Sequence, residues 1–188
     1  RFYDAREAQY LIVAKRYEKE ELAQCPRLLG LLIEIVEGEW DDHLGVLYHR
    51  LELQNEQAGQ FFTPYYICQA MALMTMPDAP TWLEKQGYIG VLEPCVGAGA
   101  MVLALADVLL QQGINYHTAL HVTAMDIDLT AIHMAYIQLS LYGIPAHIIH
   151  GNTLTMECWG EWVTAAHVWG SWDAKMRRLD LEHTQAHS

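Results

Sequence analysis

Val91-Leu92-Glu93-Pro94-Cys95-Val96-Gly97-Ala98-Gly99-Ala100 closes a short apolar run with an acid and a proline, then offers two glycines before a helical pattern resumes. A strand that stops at a sharp turn and passes into a helix through glycines lets a ligand approach backbone N–H groups at the helix N-terminus with no Cβ in the way. That geometry suits nucleosides and their conjugates. The same turn also closes ordinary strand-to-helix connections where only tight packing is needed. No third glycine follows three residues after Gly99, so the dinucleotide fingerprint is absent, as is the lysine of a phosphate-gripping P-loop.

Further along the chain, His121-Val122-Thr123-Ala124-Met125-Asp126 reads as a buried strand ending in a carboxylate. In doubly wound folds an acid at the tip of the second strand accepts hydrogen bonds from ribose hydroxyls, which makes Asp126 the candidate ribose ligand. Its other reading is a helix N-cap, a role that Asp128 can fill instead. Ala146-His147-Ile148-Ile149-His150 is expected to be a third strand, after a helix carrying Ile132, Tyr136, Ile137, Leu139 and Leu141 around much of its circumference. It ends at Gly151-Asn152-Thr153-Leu154, where the amide oxygen of Asn152 can meet the exocyclic amine of a base. An Asn after Gly is also an ordinary turn residue.

In their order and spacing, Gly59-Gln60-Phe61-Phe62-Thr63-Pro64, Glu93-Pro94-Cys95-Val96-Gly97-Ala98-Gly99, Asp126 and His150-Gly151-Asn152-Thr153-Leu154 resemble the modification subunit of type I restriction systems. The resemblance runs from about Leu44 to Leu154 and takes in Met134 to Ile144. Those subunits are adenine-N6 DNA methyltransferases that use S-adenosylmethionine. The resemblance implies an α/β fold, a Rossmann-like class I S-adenosylmethionine-dependent methyltransferase sheet, here with an N-terminal helical extension. It implies that Phe62 and Thr63 lie near the methionine end of the cofactor and that Glu93, Pro94, Gly97 and Gly99 line the loop beneath it. Asp126 would hold the ribose, with Ile127 beside it, and Asn152 would stand where the family usually has an Asp for the adenine amine.

Members of that family flip the target adenine and hold it with an Asn or Asp, two prolines and an aromatic residue at the end of the fourth strand. This chain has no proline after Pro145. Glu161 to Gly170 is the expected degenerate fourth strand and turn, with Trp162, Trp169 and Trp172 as stacking candidates or as cover for the edge of an incomplete sheet, and His167 as a candidate general base.

A chain of 188 residues, 52% of them hydrophobic, holds one domain with a small extension. The expected division is a helical region over 1–57, a cofactor-binding core over 58–155 and a divergent segment over 156–188 in place of the catalytic-motif half. The stretch beyond Leu154 is too short for a seven-stranded sheet, so three or four strands are expected, the rest lost or supplied by a partner. The net charge of −12, with Lys85 the sole lysine or arginine between Leu51 and Ala174, argues against tight DNA binding by this chain alone. DNA would be held through a specificity-type partner subunit; otherwise the chain is a catalytically silent relative, or its acceptor is a small molecule or protein. Lys175, Arg177 and Arg178 supply too little charge to change this.

Cys25, Cys68, Cys95 and Cys158 are too dispersed for a Cys-x-x-Cys site and read as reduced thiols of a cytoplasmic protein, with no signal peptide at the start of the chain. The histidines do not converge in sequence, and no metal is expected. Asp107 and Glu34 interrupt the two longest apolar runs, so no membrane span is expected. Asp4 to Ala23 reads as one helix, Arg27 to Val36 as a second, and a third starts at Asp41 or Asp42, all three expected to pack on the core.

Overall fold

The computed structural model describes residues 2–53 and 63–186. The chain divides at Glu39/Trp40 into two bodies. The first comprises α1 (Phe2–Ala14), α2 (Lys19–Leu22) and α3 (Cys25–Gly38). The single helix expected over Asp4 to Ala23 is broken, because Glu18 restarts it: its backbone N–H donates to Glu21 Oε2 at 2.8 Å in a capping box. Pro26 lies in the first turn of α3, where its missing N–H costs no helix bond.

The second body continues with α4 (His43–Arg50), α5 (Tyr65–Thr75), α6 (Ala79–Gln86), β1 (Ile89–Glu93) and α7 (Ala100–Gln111). Next come α8 (Tyr116–Ala119), β2 (Leu120–Asp126), α9 (Leu129–Leu141) and β3 (Ala146–Asn152). The chain closes with β4 (Glu157–Val163), α10 (Ala165–Trp169) and α11 (Trp172–Ala186). The sheet order is β1-β2-β3-β4, with the first three strands parallel and β4 antiparallel to β3. Strand–helix–strand alternation produces the parallel part, since a parallel pair needs a crossover. The α/β expectation and the short sheet both hold.

Burial follows the sequence pattern. β2 lies between two strands, and its apolar residues Leu120, Val122, Ala124 and Met125 are all buried. α7 buries Val102, Leu103, Leu105, Val108 and Leu109, which explains why it is apolar on nearly every side. α4 belongs to this body. Trp40 Nε1 donates to the Leu103 carbonyl at 3.1 Å, and the ring of Trp40 packs on those of Tyr116 and Tyr142.

The fourth strand differs from expectation. It begins at Glu157, not Glu161, and ends at Val163, because Thr164 caps a helix: its Oγ1 accepts from the His167 N–H at 3.4 Å and from Ala146 N–H at 2.9 Å, and donates to the Ile144 carbonyl at 2.8 Å. Those bonds tie the start of α10 to the start of β3. The chain from Ala165 to Trp169 is helical, where a strand and turn are the sequence expectation.

Beyond α10, Trp172 is 1% exposed, with its ring against Tyr88 and His121. His121, at the start of β2, bonds through Nε2 to His167 Nδ1 at 2.9 Å, and His167 Nε2 lies 3.2 Å from Asp173 Oδ1. The carboxylate accepts from Nε2–H of His167, so in the neutral ring Nδ1 accepts and His121 Nε2–H donates. Together these contacts fasten α10 and α11 beneath the amino end of the sheet. No helix among the described residues is long and apolar enough to cross a membrane.

Burial, followed by the neighbouring His167 and His147, pushes the pKa of His121 down to about 4 against a weaker opposing pull from Asp173. A histidine with a depressed folded-state pKa is protonated first in the unfolded chain, so its stability contribution is complete above the unfolded pKa and is lost as pH falls from about 6.5 towards 4. The shift corresponds to about 3 kcal/mol. Urea unfolding at pH 7 and pH 4.5 should show a smaller acid loss for His121→Phe than for the unsubstituted chain. Equal losses would contradict this assignment.

Candidate functional site

The carboxyl ends of β1, β2 and β3 are tied to one another. Leaving β1, the chain turns sharply: Glu93 Oε1 accepts from the Cys95 N–H at 3.2 Å, and Val96 N–H donates to the Met125 carbonyl at 2.9 Å. Gly97 then takes φ +55° and Gly99 φ +104°, values that side chains with a Cβ rarely adopt. Gly99 is the N-cap of α7. The N–H groups of Ala100, Met101 and Val102 begin that helix without carbonyl partners four residues back within it.

Asp126 closes the arrangement. Its Oδ2 accepts from Gly97 N–H at 2.8 Å and its Oδ1 from Asp128 N–H at 2.9 Å. Each oxygen keeps a further lone pair. Asp128 itself caps α9, accepting from Thr130 N–H at 2.9 Å. His150 Nε2–H donates to the Ile127 carbonyl at 3.2 Å, and Thr153 Oγ1 donates to the Pro94 carbonyl at 2.6 Å. Glu93, Pro94, Gly97, Gly99, Asp126 and Ile127 therefore form one cluster, with the end of β3 stitched to the turns that follow β1 and β2.

Ile127 is 61% exposed, an unusual position for a large apolar side chain next to a buried strand. Asn152 ends β3 in the same cluster, but its Oδ1 accepts from Leu154 N–H at 2.9 Å and from Thr155 N–H at 3.3 Å. That oxygen is spent on its own turn, which leaves the Nδ2 hydrogens to meet a ligand.

Thr63 is positioned by helix packing. Gln69 Nε2 donates to Asp107 Oδ2 at 3.2 Å and Gln112 Nε2 to the Met76 carbonyl at 2.8 Å, so α5 and α7 run side by side in the same direction. Thr63 precedes α5 by two residues and so lies level with the first turn of α7. Phe62, with Gly59 to Phe61, lies outside the described residues.

His167 is not brought to the strand tips. It sits by His121, at the opposite end of β2 from Asp126, roughly 17 Å away at about 3.3 Å per residue, with both ring nitrogens engaged. A cavity of about 470 Å³ opens beside it, lined by His147, Glu161, His167, Trp172, Asp173 and Arg177 among others. None of the strand-tip residues contributes to that cavity, so it is a separate feature. Trp172 is buried beneath the sheet, Trp162 packs against His133 of α9, and Trp169 is 84% exposed on α10.

The support behind the glycine loop comes from Gln138, which lies in the Met134 to Ile144 stretch but has no role assigned by the sequence reading. Gln138 of α9 is fully buried, and its amide is saturated: Nε2 donates to the Ala98 carbonyl at 2.8 Å and to Asp42 Oδ1 at 2.7 Å, and Oε1 accepts from Leu44 N–H at 3.0 Å. Asp42 Oδ1 also accepts from Gly45 N–H at 2.9 Å as the N-cap of α4. Burial raises the Asp42 pKa, against the lowering effect of the Gln138 and Gly45 bonds. One amide thus joins the glycine loop, α4 and α9. The available signal is a glutamine flanked by Ile137 and Leu139 in a helix rich in apolar residues, since a buried polar group has to be satisfied somewhere.

A family model described as N-6 DNA Methylase matches residues 42–175, from the Asp42 cap to α11. No curated protein matches the chain.

Gln138→Leu removes the partners of Ala98, Leu44 and a buried carboxylate together. Chemical unfolding should register a loss of about 3 kcal/mol, since a buried charge without its partner dominates the cost. A loss below about 1 kcal/mol would show that the hub is not structural.

Proposed function

Because the chain belongs to the N-6 DNA methylase family, we propose that it binds S-adenosylmethionine over the ends of β1, β2 and β3. In this reading it is similar in role to a type I modification subunit, and a partner holds the DNA. The observation that carries the reading is the bond between Asp126 and the Gly97 N–H, which puts a carboxylate beside a glycine loop and a helix N-terminus.

The residues present fit the cofactor. The spare lone pairs of Asp126 suit two ribose hydroxyls, and α7 offers its first N–H groups to a polar or anionic group. Ile127 supplies an apolar surface for the purine, and the Asn152 Nδ2 hydrogens suit a ring nitrogen. When bound, the cofactor supplies an electrophilic methyl group; the chain orients it.

Support for a DNA-holding partner comes from charge and from the segment after β4. A net charge of −12 opposes contact with a polyanion, and residues 164–171, which follow β4, hold no proline for the family's base-holding turn. The second reading, a catalytically silent cofactor-binding or decoy subunit, is favoured by the engagement of both His167 nitrogens, which removes the nearest general-base candidate from that segment.

Titration calorimetry with S-adenosylmethionine and S-adenosylhomocysteine tests the binding. Heat is expected with both, and Asp126→Ala should weaken binding by about 1.5 to 3 kcal/mol, the range for hydrogen bonds to a charged group. No heat from folded protein would overturn the reading. Transfer of a tritiated methyl group to mixed DNA, with and without a type I specificity subunit, separates the enzyme from the silent subunit: label on adenine only with the partner is the expected result.

A further inference from the structure

Trp159 stands where β4 departs from regular pairing. His150 is opposite Gly160 and Gly151 is opposite Cys158, so Trp159 is the extra residue of a β-bulge. Gly151 permits the close approach there, as a Cβ would collide with the Glu157 carbonyl. Bulges re-aim a side chain, and the neighbours give the direction. Cys158 Sγ donates to Glu161 Oε1 at 3.3 Å, and Glu161 pairs with His147 at 3.0 Å, which places those three on one face. The Trp159 ring instead meets His150, with centroids 5.0 Å apart and planes at 72°.

His150 is in register with Asp126 and donates to the Ile127 carbonyl. Trp159 is therefore on the Asp126 side of the sheet, two strands along, roughly 10 Å away at about 4.8 Å per strand. That separation is about the reach of a nucleoside from its ribose hydroxyls to the far edge of its base. The indole is 51% exposed, so much of its surface is free for a ligand.

We propose that Trp159 is a further ligand-binding residue of this site and takes the purine ring of the cofactor by stacking, because the bulge at Gly151 and the contact with His150 put it on the Asp126 side of the sheet, beside the histidine that holds the Ile127 carbonyl. The inference rests on the reading that Asp126 holds the ribose. Among the other tryptophans after β3, Trp162 is committed to His133, Trp172 is buried and Trp169 is on α10. An indole stacked on a base typically strengthens binding roughly ten- to a hundredfold.

The test compares the unsubstituted protein with Trp159→Ala, Trp159→Phe and the control Trp169→Ala, each titrated with S-adenosylhomocysteine by calorimetry after circular dichroism has confirmed folding. Trp159→Ala should weaken binding at least tenfold, while Trp159→Phe and Trp169→Ala should stay within about threefold of the unsubstituted protein. Indole fluorescence quenching on titration should vanish in Trp159→Phe. Uptake by the unsubstituted protein with no change in Trp159→Ala overturns the inference and leaves the functional reading intact. No uptake by the unsubstituted protein overturns both. Unchanged S-adenosylhomocysteine affinity with weakened binding of a single-stranded adenine oligonucleotide would assign Trp159 to the acceptor base and also overturn the inference.

Discussion

The hydrogen bond from the Gly97 N–H to the Asp126 carboxylate holds the site together. It joins the exit of one strand to the tip of the next, and a charged acceptor makes it stronger than an amide–amide bond. It also explains the two left-handed glycines: with Gly97 at φ +55° and Gly99 at +104°, the chain turns the Gly97 N–H towards the carboxylate and enters α7 within three residues. A Cβ at either position would strain the turn and move the loop off Asp126. The Thr153 bond to Pro94 and the His150 bond to Ile127 extend the same fastening to β3.

The two ends of β2 are held by different chemistry. At the carboxyl end, polar groups meet at a surface with lone pairs and N–H groups to spare. At the amino end, His121, His167 and Trp172 are buried against one another, beside a separate cavity to which none of the strand-tip residues contributes. Between them, Gln138 holds the Ala98 carbonyl from behind and fastens Asp42 to the same amide. A loop that must present its backbone to a ligand gains from a rigid support of this kind, because positioning is lost if the supporting groups are free to move.

β1, β2 and β3 were legible because each is an apolar run stopped by an acid or a glycine; the signature is strongest in β2, buried between two strands, whereas β1 is the sheet edge with Leu92 exposed. Asp128 was legible as a cap by its place before a periodic run. β4 was misframed because its residues Cys158, Trp159, Gly160, Glu161 and Trp162 show no alternation, and the bulge is the reason: one extra residue shifts the pattern by half a period. The Val163 to Val168 run looked more strand-like than it is, since only the Thr164 hydroxyl, bonded to Ala146 and Ile144, reveals the helix start. The contacts of Trp159 and Gln138 were not legible for a related reason: they reach across 9 and 40 residues, to His150 and Ala98.

Binding of a nucleoside conjugate where the Gly97 loop meets Asp126 is open to a single decisive titration, in which the amide resonances of isotopically labelled protein are followed while S-adenosylhomocysteine is added. The Gly97, Gly99 and Ile127 signals should shift together and saturate together, with Ser171 and Arg177 at the other end of the sheet unmoved. Shifts confined to the cavity beside His167, with Gly97 unchanged, would refute it.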